Sequence, residues 1–425
     1  MRRCLVVALA FALLFASSAS AHYIARCRGG NTGPKCHFWT GKATSIHDGD
    51  TISVDIAGDH TGRDFKVRLS SIQAMEQTVY SHIPSRRRGE CHSLEATARV
   101  EHLINKSHKL VKISSQNRHA MSDVRLRRSV WVRYQGRWTN LGSILMREGL
   151  TLWLPGLQED AWNATYDLLG QEARQKGIGM WNPIHCGVGP HQDVPLRAWI
   201  NWDPVGIDTR EVPNEWVKVQ NTSATITLPL TGWWIRDSNH RRLRFPAGTE
   251  IGPGQTITVY TSHGTDTASR VFWNFNDPIF ENPGDRHHLG DGAYLFDPQG
   301  DLRLGAQYPC LVACSDPLDG AISLAVQPRG SREYVDVRNV SGGDVDLYGY
   351  QLLKPGYQYI FDPGSVLHAG ERLRLYGAGR PSNDSRLVRY WGVGHPMFAD
   401  GGGNIILRNF RDMTLSCDAW GSGRC

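Results

Sequence analysis

Apolar and polar residues alternate along the first part of the chain in the manner of short β-strands. The segment 51–56 is rich in β-branched residues, and 65–69 alternates again after a turn that contains Gly and Asp. A side-chain period of two residues is typical of strands, so the two segments predict a hairpin inside a small barrel or sheet. Further strands are predicted at 110–114 and 130–134.

After Gly89 the apolar positions change to helical spacing. Ser93 is the predicted N-cap of a helix whose apolar face carries Leu94, Ala98, Leu103 and Ile104. Two more helices are predicted at 141–148 and 162–176. About five strands and three helices in so short a span predict an α+β barrel of the oligonucleotide-binding (OB) type, with helices packed on it.

Beyond a stretch without periodicity at 187–200, which predicts a linker, the chain becomes strand-like and repeats itself. Residues 215–221 match 333–339, and later pairs of Gly and aromatic positions keep a spacing close to 118 residues. Such a recurrence predicts two tandem all-β sandwiches of immunoglobulin-like size, at 201–314 and 315–425.

The N-terminus has the pattern of a secretory signal. Positive charge at Arg2 and Arg3 precedes an apolar run from Cys4 to Phe15, and small residues lead to Ala21. The alternative is a membrane anchor, but the apolar run is shorter than the roughly 20 residues that a membrane-spanning helix needs. We therefore expect a signal peptide over 1–21, cleavage near Ala21, and a secreted mature chain without a transmembrane segment.

The cysteines agree with an extracellular location. Nine are present, and eight follow the signal segment, an even number that predicts disulfides in an oxidising compartment. Their distribution favours local pairs among Cys27 and Cys36, Cys91 and Cys186, and the four cysteines after residue 309. A zinc site at Cys310 and Cys314 is the weaker alternative, because no histidine pair lies nearby.

Charge divides the chain into two parts. Residues 22–190 contain 23 Lys and Arg against 15 Asp and Glu, a net charge of +8, whereas 191–425 carry a net charge of −4. A basic region of this size can bind a polyanion, although the same excess could serve solubility alone.

The basic region also contains the groups that phosphodiester hydrolysis needs. An enzyme must place cations against the phosphate and a base near the attacking water. Asp48 and Asp50 precede a strand and offer hard oxygen ligands suited to Ca²⁺, and Arg68 on the next strand can hold a phosphate through its planar fork. Glu76 is a carboxylate able to deprotonate water, and Arg127 can contact the phosphate from another segment.

Taken together, these residues resemble the staphylococcal nuclease (thermonuclease) family. No single motif decides this; the order of all of them does, over roughly residues 37–182, and we place the domain at 22–186. The ordered motifs are Asp48-Gly49-Asp50-Thr51, Val67-Arg68-Leu69, Ile72, Ala74, Glu76, Asp123, Arg127, Arg147-Glu148-Gly149-Leu150, Ala173-Arg174 and Gly177-Ile178-Gly179-Met180-Trp181.

The resemblance implies a calcium-dependent endonuclease that hydrolyses DNA and RNA and leaves 3′-phosphates. It makes Asp50 a Ca²⁺ ligand, Asp48 a supporting acid, and Thr51 a contributor through its backbone carbonyl. Glu76 becomes the general base. Arg68 and Arg127 become the phosphate ligands.

Two departures from the family pattern bear on this assignment. Gln73 stands where the family has a metal-binding carboxylate, so the site loses one negative charge and should hold Ca²⁺ more weakly. The segment from Asp123 to Arg127 lacks the family's glycine and aromatic residue, so Arg125 or Arg128 could replace Arg127. The alternative function is a weak or inactive protein that binds nucleic acid or a cell surface.

Other arginines are candidate substrate contacts. Arg86, Arg87 and Arg88 form a basic run, and Arg125 and Arg128 lie close to Arg127 in sequence. These side chains could bind the phosphates of DNA or RNA. The alternative for the three-arginine run is a solvated loop.

Each copy of the repeat resembles the lamin tail domain, an immunoglobulin-like sandwich. The resemblance rests on a Glu-aromatic-Val-x-Val-x-Asn strand, a Leu-x-Gly-aromatic turn and a Phe-x-x-Gly passage. No set of catalytic residue types recurs in both copies. The expected role is therefore binding or spacing, with a cell-envelope or surface ligand as the expected partner.

Overall fold

A computed structural model describes residues 22–77, 89–156, 158–182, 191, 194–202, 215–239, 241–281, 290–329, 332–409 and 411–425. The predicted signal peptide at 1–21, the candidate substrate contacts Arg86, Arg87 and Arg88, and Cys186 lie outside the described residues. No helix of the described residues is both long enough and apolar enough to cross a membrane.

The N-terminal region, 22–182, combines strands with helices. Its strands are β1 (His22–Arg26), β2 (Lys35–Ile46), β3 (Thr51–Ile56), β4 (Asp64–Leu69), β5 (Ile72–Ala74), β6 (Leu110–Ser115), β7 (Met121–Ser122), β8 (Arg125–Tyr134), β9 (Arg137–Asn140) and β10 (Thr151–Trp153). Its helices are α1 (Ser93–Lys106), α2 (Leu141–Arg147) and α3 (Asn163–Gln175). The three predicted helices are therefore confirmed, with end positions that differ by a few residues.

Five strands of this region close into a barrel. The order is β2-β3-β4-β8-β6, and β6 pairs back with β2. The β4–β8 pair is parallel, whereas the other barrel pairs are antiparallel. This arrangement confirms the predicted barrel and fits an OB-type fold.

Helix α1 packs on the barrel through a face that matches the prediction at Leu103 and Ile104. The prediction is wrong for Leu94 and Ala98, which are exposed. The buried apolar residues of α1 are Ala96, Val100, Leu103 and Ile104, whereas Leu94 is 69% exposed. The four buried positions follow helical spacing without Leu94, so one continuous stripe faces the core. Ser93 is the first helical residue and not the cap, because His92 occupies the cap position with a φ of 67°.

The first β-rich region, 194–310, contains two main sheets. Its strands are β11 (Leu196–Asn201), β12 (Trp216–Asn221), β13 (Leu228–Pro229), β14 (Trp234–Asp237), β15 (Arg242–Arg244), β16 (Glu250–Ile251), β17 (Thr256–Tyr260), β18 (Arg270–Phe272), β19 (Asp291–Phe296) and β20 (Leu302–Tyr308). The sheets have the orders β11-β12-β17-β18 and β15-β14-β19-β20, and β13 pairs with β16.

The second β-rich region, 318–425, repeats this arrangement. Its strands are β21 (Ile322–Gln327), β22 (Tyr334–Asn339), β23 (Val345–Asp346), β24 (Gln351–Lys354), β25 (Tyr357–Ile360), β26 (Val366–Leu367), β27 (Arg372–Tyr376), β28 (Val388–Tyr390), β29 (Gly402–Arg408) and β30 (Thr414–Gly421). The orders are β21-β22-β27-β28, β23-β26 and β25-β24-β29-β30. The two regions therefore share one sandwich-like topology, and each has its own apolar core.

The polar residues of the repeated strand have a structural role. The Glu215 carboxylate accepts the amides of Ile279 and Phe280, and the equivalent Glu333 accepts those of Met397 and Phe398. At the other end of the strand, Asn221 and Asn339 each donate to two backbone carbonyls. Buried backbone groups need such partners, so these repeated residues maintain the fold.

Disulfides confirm most of the expected local pairing. Bonds join Cys27 to Cys36, Cys310 to Cys314, and Cys417 to Cys425. The bond between Cys310 and Cys314 excludes the zinc alternative at these residues. Cys91 is also disulfide-bonded.

The first β-rich region packs directly against the N-terminal region. Met75, Leu152 and Met180 of the N-terminal region form one buried apolar cluster with aromatic residues of β14 and β19, namely Trp234, Tyr294 and Phe296. Burial of side chains of this size contributes roughly 1.5–3 kcal/mol each. The contact therefore fixes the two regions against each other.

Candidate active site

A cleft opens where the β2–β3 loop, β4, β5 and β8 meet. Seven of the candidate site residues line it: Asp48, Asp50, Arg68, Gln73, Glu76, Arg125 and Arg127. These residues come from four segments of the chain: the β2–β3 loop, β4, β5 with the residues that follow it, and β8. The barrel topology, and above all the parallel β4–β8 pair, brings them together.

The turn at 48–50 depends on Gly49. A Cβ atom at this position would lie 2.7 Å from the Cβ of Ala96 and 2.8 Å from that of Ala74, so only glycine fits between helix α1 and strand β5. The amide of Asp50 donates to Oδ1 of Asp48 over 2.9 Å, which holds the two acids side by side. Burial, and then the neighbouring charge of Asp50, raise the pKa of Asp48 to about 6.

Asp50 is 4% exposed and is held by several donors. Its Oδ2 accepts the amide of Ala74 at 2.7 Å, and its Oδ1 accepts the hydroxyl of Thr51 at 3.0 Å. The guanidinium of Arg68 forms an ion pair with the same carboxylate. A buried carboxylate requires such compensation, and Asp50 has it from both charge and hydrogen bonds.

Gln73 links the acids of the cleft to one another. Its Oε1 accepts from Arg68, while its Nε2 donates to Oδ2 of Asp50 at 3.3 Å and to Oε1 of Glu76 at 3.1 Å. An aspartate could not make the two donations, because an ionised carboxylate only accepts. The amide therefore orients Glu76 and Asp50, a role that the resemblance did not imply.

Arg68 and Arg127 are partners in the parallel register of β4 and β8. Side chains at paired positions lie on the same side of a sheet, and both residues line the cleft. Burial, and then the charge of Arg68, lower the pKa of Arg127. The two cations at this position are suited to an anionic ligand.

The two residues that could replace Arg127, Arg125 and Arg128, have different surroundings in the structure. Arg125 lies two residues before Arg127, faces the cleft and pairs with Asp123 at 3.3 Å. Arg128 is 3% exposed and points away; it donates to the carbonyls of Ala120, Arg127 and Arg118 at 2.8–3.0 Å. Its guanidinium lies over the ring of Trp39, and burial lowers its pKa to about 10. Arg128 therefore supports the fold and does not line the cleft.

The donor chemistry of the cleft fits a hard cation in part. Asp48, Asp50 and Gln73 supply oxygen atoms of the kind that Ca²⁺ takes. Arg68 contacts both Asp50 and Gln73, so a cation would compete with it for these oxygens. In the described part of the chain, no three His, Cys, Asp or Glu side chains are grouped to hold a metal.

Thr51 does not line this cleft. Its carbonyl accepts the amides of His47 at 2.9 Å and Asp48 at 3.4 Å, which closes the turn before β3. Its hydroxyl supports Asp50. The structure therefore gives Thr51 a supporting contact with a candidate ligand.

Three residues near the cleft carried no signal in the sequence. Asn239, from the loop after β14, lines the cleft. The side chain of Glu90 is fully buried and accepts the amide of Glu76 at 2.9 Å. Glu159 interacts electrostatically with Arg127 and Arg128, and it accepts the amides of Gln116 and Asn117, both at 2.9 Å.

Comparison with known families identifies one part of the chain. Residues 202–309 match the family model of the lamin tail domain. The match covers about a quarter of the chain and coincides with the first β-rich region. A search among curated proteins finds no match.

Proposed function

We propose that this chain is a secreted, calcium-dependent endonuclease that hydrolyses the phosphodiester bonds of DNA or RNA. The observation that carries the proposal is the convergence of Asp48, Asp50, Arg68, Glu76 and Arg127 in one cleft. They provide a cation-binding pair of acids, two phosphate ligands and a base, as hydrolysis of a phosphodiester requires. The net charge of +8 over residues 22–190 suits a polyanionic substrate.

In the proposed reaction Glu76 accepts a proton from the attacking water. Gln73 holds Oε1 of Glu76, which orients the carboxylate. The water oxygen forms a bond to phosphorus while the bond to the O5′ atom breaks, and the departing oxygen takes a proton from solvent. This leaves a 3′-phosphate, the product that the resemblance implies.

Arg68 and Arg127 stabilise the negative charge that develops on the phosphate oxygens. Their paired positions on β4 and β8 let two guanidinium groups contact one phosphate from neighbouring strands. Oxygens of Asp48, Asp50 and Gln73 would hold Ca²⁺. When bound, the ion would supply further positive charge at the phosphate.

We also propose a second lamin-tail-like domain at 315–425 beside the one matched at 202–309. The identical strand order of the two β-rich regions supports it. Binding or spacing, with a cell-envelope or surface ligand, is the proposed role for this second copy. The disulfides support secretion, since such bonds persist in oxidising compartments.

A second candidate function is nucleic-acid or surface binding without cleavage. The contacts of Arg68 with Asp50 and Gln73 favour it, because they engage the proposed phosphate ligand and two proposed metal ligands at once. This function predicts salt-sensitive binding of DNA or RNA without any product.

One assay separates the two functions. The secreted full chain is incubated with end-labelled DNA and RNA in Ca²⁺, and again with a calcium chelator. The nuclease proposal predicts fragments ending in 3′-phosphate that appear only with Ca²⁺. Binding without fragments in any divalent cation would contradict it.

A further inference from the structure

Glu90 forms hydrogen bonds with both the backbone amide and the backbone carbonyl of Glu76. The amide of Glu90 donates to the carbonyl of Glu76 over 2.7 Å, and its Oε2 accepts the amide of Glu76 over 2.9 Å. Glu90 therefore satisfies both backbone polar groups of Glu76, the proposed base.

The charge of Glu90 is balanced from the first β-rich region. Its side chain is fully buried, and Oε1 accepts from Nη2 of Arg242 at 2.6 Å, while Nη1 of Arg236 lies 3.8 Å from Oε2. An ionised carboxylate with no exposed surface is costly unless it is paired. The β14–β15 hairpin of the lamin tail domain thus supplies the cations that stabilise Glu90.

The same domain encloses the peptide around Glu76. Met75, the residue before Glu76, is buried in the cluster that includes Trp234 and Phe296. The amide of Cys91, the residue after Glu90, donates to the carbonyl of Gly300 at 3.1 Å. These contacts flank the ion pair on both sides, so the position of Glu76 depends on the docked domain.

We propose that the lamin tail domain at 202–309 contributes to the active site. The domain positions Glu76 through two positioning residues, Arg242 and Glu90. The inference rests on the proposed function, and it assigns this domain more than the binding or spacing role expected from sequence. Asn239, which reaches the cleft from the loop between β14 and β15, supports the same view.

The test compares three variants of the full chain: Arg242→Gln, Arg242→Lys and Arg270→Gln. Arg270→Gln removes an exposed positive charge from the other sheet of the same domain and is the matched control. Each is assayed for kcat and KM at a temperature well below its own melting temperature. Hydrogen exchange is measured on peptides that cover 72–77.

Arg242→Gln should lower kcat by roughly 10- to 100-fold, since a small misplacement of a reacting group has effects of this size. KM should stay within about twofold, and the amide of Glu76 should exchange faster. Arg242→Lys keeps the positive charge opposite Glu90, so it should retain most of the kcat and the slow exchange of the Glu76 amide. Arg270→Gln should match the unaltered chain.

Several outcomes would overturn the inference. These are an unchanged kcat in Arg242→Gln, a change confined to KM, an equal loss in Arg270→Gln, or a lower kcat without faster exchange at 72–77. If Arg242→Gln does not fold, Arg242→Lys decides, because it should retain slow exchange. If the unaltered chain cleaves nothing, the proposed function fails, while the exchange data still test whether Arg242 positions Glu76.

Discussion

Arg68 lies directly opposite Arg127 across the parallel pair of strands β4 and β8. Two guanidinium groups at paired positions repel each other, and the charge of Arg68 contributes to the lowered pKa of Arg127. Asp50 neutralises Arg68, and Glu159 partly offsets the repulsion at Arg127. A phosphate bound between the two arginines would remove the remaining repulsion, in keeping with their proposed role as phosphate ligands.

Arg127 and Arg128 should respond differently to the same substitution. Arg127→Gln removes a proposed phosphate ligand and should lower the single-turnover cleavage rate by about 10²- to 10³-fold with little effect on melting. Arg128→Gln removes the side-chain donations to three carbonyls and should cost about 1–3 kcal/mol of unfolding free energy. Cleavage rates and urea unfolding of both variants test this. Equal effects of the two on cleavage would contradict the assignment.

Placing a carboxylate at position 73 should strengthen the proposed calcium binding. Gln73→Asp adds a negative charge beside Asp50, and a unit charge about 4 Å from an ion is worth several kcal/mol at an effective dielectric constant of ~20. We expect the calcium Kd, measured by titration calorimetry, to fall at least ~10-fold.

Without calcium, Gln73→Asp should melt at a lower temperature, because the donations to Asp50 and Glu76 are lost. Asn105→Asp, which adds the same charge on the exposed surface of α1, is the control and should change neither property. An unaltered Kd in Gln73→Asp would show that position 73 takes no part in calcium binding.

Glu159 should make stability depend on pH. Burial raises its pKa to about 7 from an ordinary value near 4.5, so the folded state binds a proton that the unfolded state releases. The free energy of unfolding should therefore fall as pH rises from about 4.5 to about 7. Glu159→Gln should remove this dependence and gain up to about 3 kcal/mol relative to the unaltered chain over that range.

The measurement is urea unfolding at pH 4.5, 6 and 8. The difference between variant and unaltered chain isolates Glu159 from other buried acids, such as Asp167 and Asp291, that titrate in the same direction. Glu101→Gln, at an exposed position of α1, should show a constant difference. A constant difference for Glu159→Gln as well would be inconsistent with its buried, raised pKa.

Much of the cleft could be predicted from sequence because its residues belong to short, ordered motifs on regular strands. The alternation of side chains along β8 distinguishes the three arginines. Arg125 and Arg127 share one face of the strand, and Arg128 lies on the other. The burial of Arg128 depends on carbonyls at Arg118 and Ala120 in the preceding loop, which no pattern indicates.

Other features could not be predicted because they depend on contacts between distant segments. Leu94 fits an apolar helix face by spacing, yet the stripe that packs begins at Ala96. Glu90 has no motif of its own; its importance comes from Arg242, which lies 152 residues away in the chain. The repeated β-rich pattern is visible in the sequence, but the packing of the first β-rich region beside Glu76 is not.

The most direct test of the account is the single-turnover cleavage of DNA by Glu76→Gln in saturating Ca²⁺. Glu95→Gln, at an exposed position in the first turn of α1, is the matched control. We expect a loss of about 10²- to 10⁴-fold for Glu76→Gln, the usual contribution of a general base, and no loss for Glu95→Gln. Cleavage by Glu76→Gln at the rate of the unaltered chain would contradict it.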